Sequence, residues 1–261
     1  MPELIIAVAA FSTSLLTLFT GFGLGTLLLP VFTLFFPVQI AVASTAIVHG
    51  ANNVFKAGLL FRSVDWNVII RFGIPAILAA LAGALFLSFL TAQPEIYSWE
   101  PLGRSATITP LKLVMAILIL MFAFLEFNPR LISLPPHSGW LTLGGVLAGF
   151  FGGLSGHQGA LRAAFLGPLG LPPNRFVATQ AFLGFLVDSA RIPVYAVTFL
   201  SLSTSETTQL PATPIMIAVI SAFAGAFLGK RLLPSVTRSG VRKITGILLI
   251  IVGIALGLGL T

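Results

Sequence analysis

The feature that most constrains this chain is a succession of apolar runs broken by very few charges. They lie at about 4–20, 23–36, 40–60, 68–90, 111–127, 140–154, 158–171, 176–200, 212–229 and 244–260. A helix needs about 20 such residues to cross a bilayer. Only 8% of the residues are charged and 57% are hydrophobic, with a mean hydropathy of +1.05. A soluble domain carries roughly 25% charged residues, and so few charges cannot cover a water-exposed surface of this size. The expected fold class is therefore an all-α, polytopic membrane protein.

Two runs, 23–36 and 158–171, are too short to span. Each follows a glycine-rich turn, Gly21-Phe22-Gly23-Leu24-Gly25 and Gly152-Gly153-Leu154-Ser155-Gly156. Glycine permits positive φ and close approach of other groups. Short, Gly-interrupted segments at matching positions of two halves point to a transporter binding site. The halves do match: a shift of 135 residues pairs Gly21 with Gly156, Pro37 with Pro172, Val42-Ala43 with Val177-Ala178, Ala46 with Ala181 and Lys56 with Arg191. Ala82-Gly83-Ala84 then answers Ala224-Gly225-Ala226, and Gly83 and Gly225 read as packing residues for close helix contact. The expected organisation is one membrane domain of two repeats. Repeat 1–129 holds a hairpin at 4–36 and helices at 40–60, 68–90 and 111–127. Repeat 130–261 holds a hairpin at 140–171 and helices at 176–200, 212–229 and 244–260.

Loop charge orients the repeats. Lys230, Arg231, Arg238, Arg242 and Lys243 mark a cytoplasmic loop, whereas the stretch from Ser201 to Gln209 carries Glu206 and no basic residue. If each glycine hairpin is re-entrant, three crossings per half remain and the second half is inverted. Arg62, Arg71, Arg130 and Arg175 then fall inside, with Arg104 and Lys112 outside. Four crossings per half would put Arg62, Arg71 and Arg130 outside, so the inverted arrangement fits better. Trp66, Tyr97, Trp99 and Trp140 lie in loops, as an interfacial aromatic belt requires. The net charge of +7 reads as loop charge obeying the positive-inside rule, with no nucleic-acid partner. Met1-Pro2-Glu3 lacks a basic n-region, so the first apolar stretch is expected to be retained.

Polar residues inside apolar runs mark pathways, because burying them mid-membrane is costly. His49, Asn52, Asn53 and Lys56 share one helical face. The matching run carries Thr179, Gln180, Asp188 and Arg191, and the second hairpin carries His157, Gln158 and Arg162. Together these read as an anion site. Half-helices starting at Gly25 and Gly159 would aim free N–H groups at the centre. Lys56, Arg162 or Arg191 would supply charge, and Ser44, Thr45, Thr179 and Gln180 would donate hydrogen bonds. Each has a plainer alternative: Lys56 and Arg191 snorkelling, Asp188 pairing with Arg191, the hydroxyls bonding their own helices, and His49 or His157 lining a cavity or capping a turn. Residues His49, His157 and Asp188 are the candidates for a coupling proton.

Zero cysteines exclude disulfides, thiolate metal sites and a cysteine relay. No HExxH motif, P-loop or acidic metal cluster occurs, so neither cofactor nor metal is expected. Gly153-Leu154-Ser155-Gly156 and the His49–Asn53 spacing resemble an intramembrane serine protease. The general base such an enzyme needs on a later helix is missing, so the chain is not expected to be an enzyme.

Phe19-Thr20-Gly21-Phe22-Gly23-Leu24-Gly25 through Pro30, then Ala41-Val42-Ala43-Ser44-Thr45, resembles the TauE/SafE family of sulfite exporter-like permeases. That family shows a Gly-rich segment ending at proline and an Ala-Val-x-Ser/Thr element, given twice. The second copy, Gly152 to Arg162 and Phe176-Val177-Ala178-Thr179, keeps the layout, with Gly-His-Gln-Gly-Ala in place of the usual glycine cluster. The resemblance implies a multi-pass carrier of a bacterial-type inner membrane. Its partners would be the lipid bilayer, protons and a small sulfur-containing anion such as sulfite, an organosulfonate or sulfoacetate. The substrate would bind near Gly21–Gly25 and Gly156–Gly159 and cross by alternating access. The other readings are an anion channel and a lipid-phosphate translocase. A homodimer is compatible with all three.

Overall fold

The computed structural model describes residues 2–17, 24–101, 105–128, 139–202, 210–229 and 238–260. Gly21 and Gly23 of the first glycine turn, Arg104, Arg130, Glu206, Lys230 and Arg231 lie outside them. The described residues are helical almost throughout. Helix α1 (Pro2–Thr17) is followed by α2 (Leu24–Thr33), α3 (Val38–Leu60) and α4 (Trp66–Val68). A π-helical turn at Ile69–Gly73 joins α4 to α5 (Ile74–Thr91). After a β-hairpin come α6 (Pro110–Phe127), α7 (Trp140–Ser155) and α8 (Gly159–Leu166). Helices α9 (Pro173–Leu202), α10 (Ala212–Gly229) and α11 (Arg238–Gly257) complete the fold.

Among the described residues four helices are long and apolar enough to cross a membrane: Trp66–Thr91, Pro110–Phe127, Pro173–Thr198 and Ala212–Gly229. Helix α3 is as long, but its polar face lowers its hydropathy. Leu78, Ile117, Met216 and Ile220 are each more than 60% exposed on outer faces, as contact with lipid tails requires. This is a multi-pass, all-α membrane protein.

The helix edges have local causes. The 68–90 run starts two residues earlier, because Asp65 caps α4 by accepting from the Asn67 and Val68 N–H groups at 3.1 and 3.2 Å. The 176–200 run extends back to Pro173, where proline suits the first helical turn. The last helix ends at Gly257, ahead of the expected 260, and Gly259 then turns with φ +76°. One element lies outside the expected pattern: strands β1 (Tyr97–Trp99) and β2 (Ala106–Ile108) pair antiparallel in the loop before α6. Trp99 donates to the Leu258 carbonyl at 2.9 Å, and Lys112 donates to the carbonyls of Thr107 and Gly259. The β-hairpin thus ties the start of α6 to the end of α11.

Small residues set the helix contacts. Gly145, Gly149 and Gly153 of α7 lie against the backbone carbonyls of Phe72, Ala76 and Ala80, so the two segments run side by side in the same direction. Any side chain at these glycines would collide with backbone, which makes them obligatory for this approach. Helix α8 folds back on α7, with Phe165 over Gly144 and Gln158 against Gly152. Elsewhere Gly225 of α10 meets the Phe11 carbonyl of α1, as Gly83 of α5 meets the Phe150 carbonyl of α7.

Candidate functional site

The polar residues of α3 meet those of α9 where the two helices cross. Two glycines make the crossing close. A Cβ at Gly50 would sit 3.2 Å from the Asp188 Cβ, and one at Gly184 would strike the Asn53 amide and the Arg162 guanidinium. The helices run in opposite directions, since the turn after α3 is tied to the start of α9. There the Asp65 N–H donates to Thr179 Oγ1 at 2.9 Å, and Arg175 reaches Asp65 at 3.6 Å.

At the centre stands Asp188, with 0% of its surface exposed. Its Oδ2 lies 2.6 Å from His49 Nδ1 and accepts from Asn53 Nδ2 at 3.3 Å. Its Oδ1 accepts from Arg191 Nε at 3.0 Å, Arg191 Nη2 at 2.8 Å and Gln158 Nε2 at 3.2 Å. A carboxylate buried in a membrane protein needs this many donors to remain charged. Arg191 is equally committed: besides Asp188 it donates to the Gly152 carbonyl at 2.9 Å. The Tyr195 hydroxyl donates to the Gly153 carbonyl next door. Side chains of α9 thereby bond carbonyls in the last turn of α7, the Gly152 oxygen also accepting from the Gly156 N–H at 3.0 Å. Gly156 follows at φ +84°, and a Cβ there would lie 3.1 Å from Arg191 Nη1, so both backbone and space require glycine.

The tip residues read outward from this centre. The Gln158 amide donates to Asp188 and accepts from Arg162 Nη1 at 2.9 Å. Arg162 is 1% exposed, and its Nε has no partner among the described residues. Lys56, 7% exposed, has no acceptor among them either. His157 stacks on Phe122 of α6 with ring centroids 5.0 Å apart, and its Nδ1 lies 3.1 Å from Ser155 Oγ. The Ser155 hydroxyl donates to the Phe151 carbonyl at 3.0 Å. The imidazole must therefore donate to that oxygen rather than deprotonate it, which is the wrong polarity for a serine nucleophile. The His157 Nε2 is buried without a partner among the described residues.

The start of α2 comes to the same place. A Cβ on Gly25 would sit 3.3 Å from the Gly156 carbonyl oxygen and 3.4 Å from the His49 ring. Ser14 of α1 donates to Asn52 Oδ1 at 3.2 Å, and Asn52 Nδ2 has no partner among the described residues. The structure thus brings together Gly25, His49, Asn52, Asn53, Gly156, Gln158, Arg162, Asp188 and Arg191, with Lys56 one turn along α3. Thr179 is placed apart, on the Asp65 turn. Ser44, Thr45 and Gln180 are buried with side-chain atoms unpartnered among the described residues. A separate cavity of about 480 Å³ opens between the α2–α3 turn and the start of α6, and none of its lining residues belongs to this cluster.

Sequence reasoning missed Ser14, Gly184 and Tyr195. Gly184 carried a usable signal, because it stands at the repeat-related position of His49. Ser14 and Tyr195 carried none, since one hydroxyl in an apolar helix commonly bonds its own backbone.

Residues 5–256 match the family described as sulfite exporter TauE/SafE. The chain belongs to the TauE/SafE family. No curated protein and no solved structure matches it. As a TauE/SafE member it is a multi-pass membrane transporter of the anion-exporter type.

Proposed function

We propose that this TauE/SafE protein is a carrier that moves small sulfur-containing anions, such as sulfite or organosulfonates, across a bacterial-type inner membrane by alternating access. One observation carries the reading: Lys56, Arg162 and Arg191 are all buried at the crossing of α3 and α9, with Asp188 the single carboxylate bonded to them among the described residues. Excess positive charge at membrane depth is strongly unfavourable until an anion arrives. The anion would lie between Gly25 and Gly156, beside Lys56, Arg162 and Asn52. Burial of Arg162 and Gln158 to 1% exposure or less favours an occluded carrier over an open channel.

Two inverted repeats would supply the moving parts. Exchanged packing supports this: α5 lies on α7 as α10 lies on α1, with Gly83 and Gly225 each against a backbone carbonyl of the partner helix. Opposed directions support it as well, α3 against α9 and the start of α6 beside the end of α11. The face bearing Arg62, Arg71 and Arg175 would be cytoplasmic. Coupling to a proton would run through His49 and Asp188, which join the two repeats, with His157 as the further candidate.

Purified protein in proteoliposomes tests this. Sulfite uptake should saturate and show counterflow, and Arg162→Gln should abolish it while the protein still elutes as a folded species. Flux that is linear in concentration, or that survives Arg162→Gln, rules out the carrier site described. If His49→Gln leaves pH-gradient-driven uptake intact, proton coupling does not run through that pair.

A further inference from the structure

Resting on that carrier reading, we infer that the cargo is a doubly charged anion, with one negative charge set against Lys56 and one against Arg162. The inference comes from which charges in the cluster are already answered. Asp188 has both oxygens occupied, by His49 and Asn53 on one side and by Arg191 and Gln158 on the other. Arg191 is held by that carboxylate and by the Gly152 carbonyl, so the two ions cancel. Among the described residues of the cluster, two cations are left. Arg162 has only the neutral Gln158 oxygen on Nη1, and its Nε is open among the described residues. Lys56 has no acceptor at all among them.

These two cations share one place. Gly184 of α9 abuts both the Arg162 guanidinium and the Asn53 amide, and Lys56 follows Asn53 by three residues on the same helical face. Like charges on such neighbouring side chains repel in a low-dielectric site, and neither bonds to a carboxylate among the described residues. The neighbouring open group, Asn52 Nδ2, is a donor too. A monoanion would leave one buried cation uncompensated, whereas a dianion neutralises both in a low-dielectric site where such pairing is strong. Sulfite in its fully deprotonated form meets this demand, and so does an organosulfonate that also bears a carboxylate. A simple alkylsulfonate does not.

Sulfoacetate and its monoanionic amide, sulfoacetamide, differ by one charge at nearly equal size, so their competition against sulfite uptake in proteoliposomes isolates the point. The acid form should compete about tenfold or more better than the amide, equivalent to ~1.4 kcal/mol. Relative to the residual sulfite uptake, Lys56→Gln should bring the two compounds close to parity by weakening sulfoacetate far more than sulfoacetamide, and Lys56→Arg should keep the preference. Equal competition by the two compounds in the unaltered protein overturns the dianion assignment alone. Parallel loss of both compounds in Lys56→Gln does the same. Absence of saturable flux for every anion would overturn the carrier reading along with it.

Discussion

The two glycine hairpins enter the same centre and are held there differently. The tip between α7 and α8 is fastened on several sides: Arg191 and Tyr195 hold the Gly152 and Gly153 carbonyls, and Gln158 links Asp188 to Arg162. On the other side, the described part of the α1–α2 hairpin makes one polar tie to α3, from Ser14 to Asn52, and one close contact at Gly25. Positions paired by the 135-residue shift differ accordingly. Asp188 and Arg191 form an ion pair on α9, while Asn53 and Lys56 at the equivalent places on α3 do not. Helix α9 thus carries an internally paired charge, whereas α3 carries a cation without a carboxylate partner among the described residues.

This contrast can be tested through stability. Asp188→Asn should have the largest effect, about 3–5 kcal/mol, because it strips compensation from the buried Arg191; unfolding in detergent would measure it. Should Asp188→Asn unfold like the unaltered protein, the paired charge of α9 does not hold the fold. Next, Gly149→Leu should cost roughly 1–3 kcal/mol or more by forcing α7 off the Ala76 carbonyl, and the same substitution at exposed Gly58, where a Cβ meets nothing, should be mild. Tyr195→Phe should cost about 1 kcal/mol, the worth of one buried hydrogen bond, and so should Ser14→Ala on the other hairpin. Lys56→Gln should be the smallest, neutral or slightly stabilising, since it removes a buried charge that has no partner among the described residues. A strongly destabilised Lys56→Gln would mean that the cation of α3 holds the fold too.

Much of this was legible from residue order. Long apolar runs with few charges have one solvent in which they are stable, and that already specified membrane helices. Polar residues such as His49, Asn53, Asp188 and Arg162 stood out because a lipid interior penalises each of them. Partner choice was not legible. Spacing put Arg191 three residues from Asp188, but not the Gly152 carbonyl that holds its other edge. Thr179 looked like a site hydroxyl, yet the backbone N–H of Asp65, far away in sequence, takes its oxygen. The β-hairpin at 97–108 was also hidden, because three-residue strands are too short to show a periodicity.

Composition, then, was enough to establish the solvent, the helical class and the set of polar residues that lipid would not tolerate alone, because transfer energies belong to side chains one at a time. Whether a given charge is neutralised depends on which donors and acceptors lie within about 3 Å of it. Those neighbours come from α3, α7, α8 and α9 at once. Folding therefore settled that Arg191 is answered, and that Arg162 and Lys56 have no carboxylate partner among the described residues.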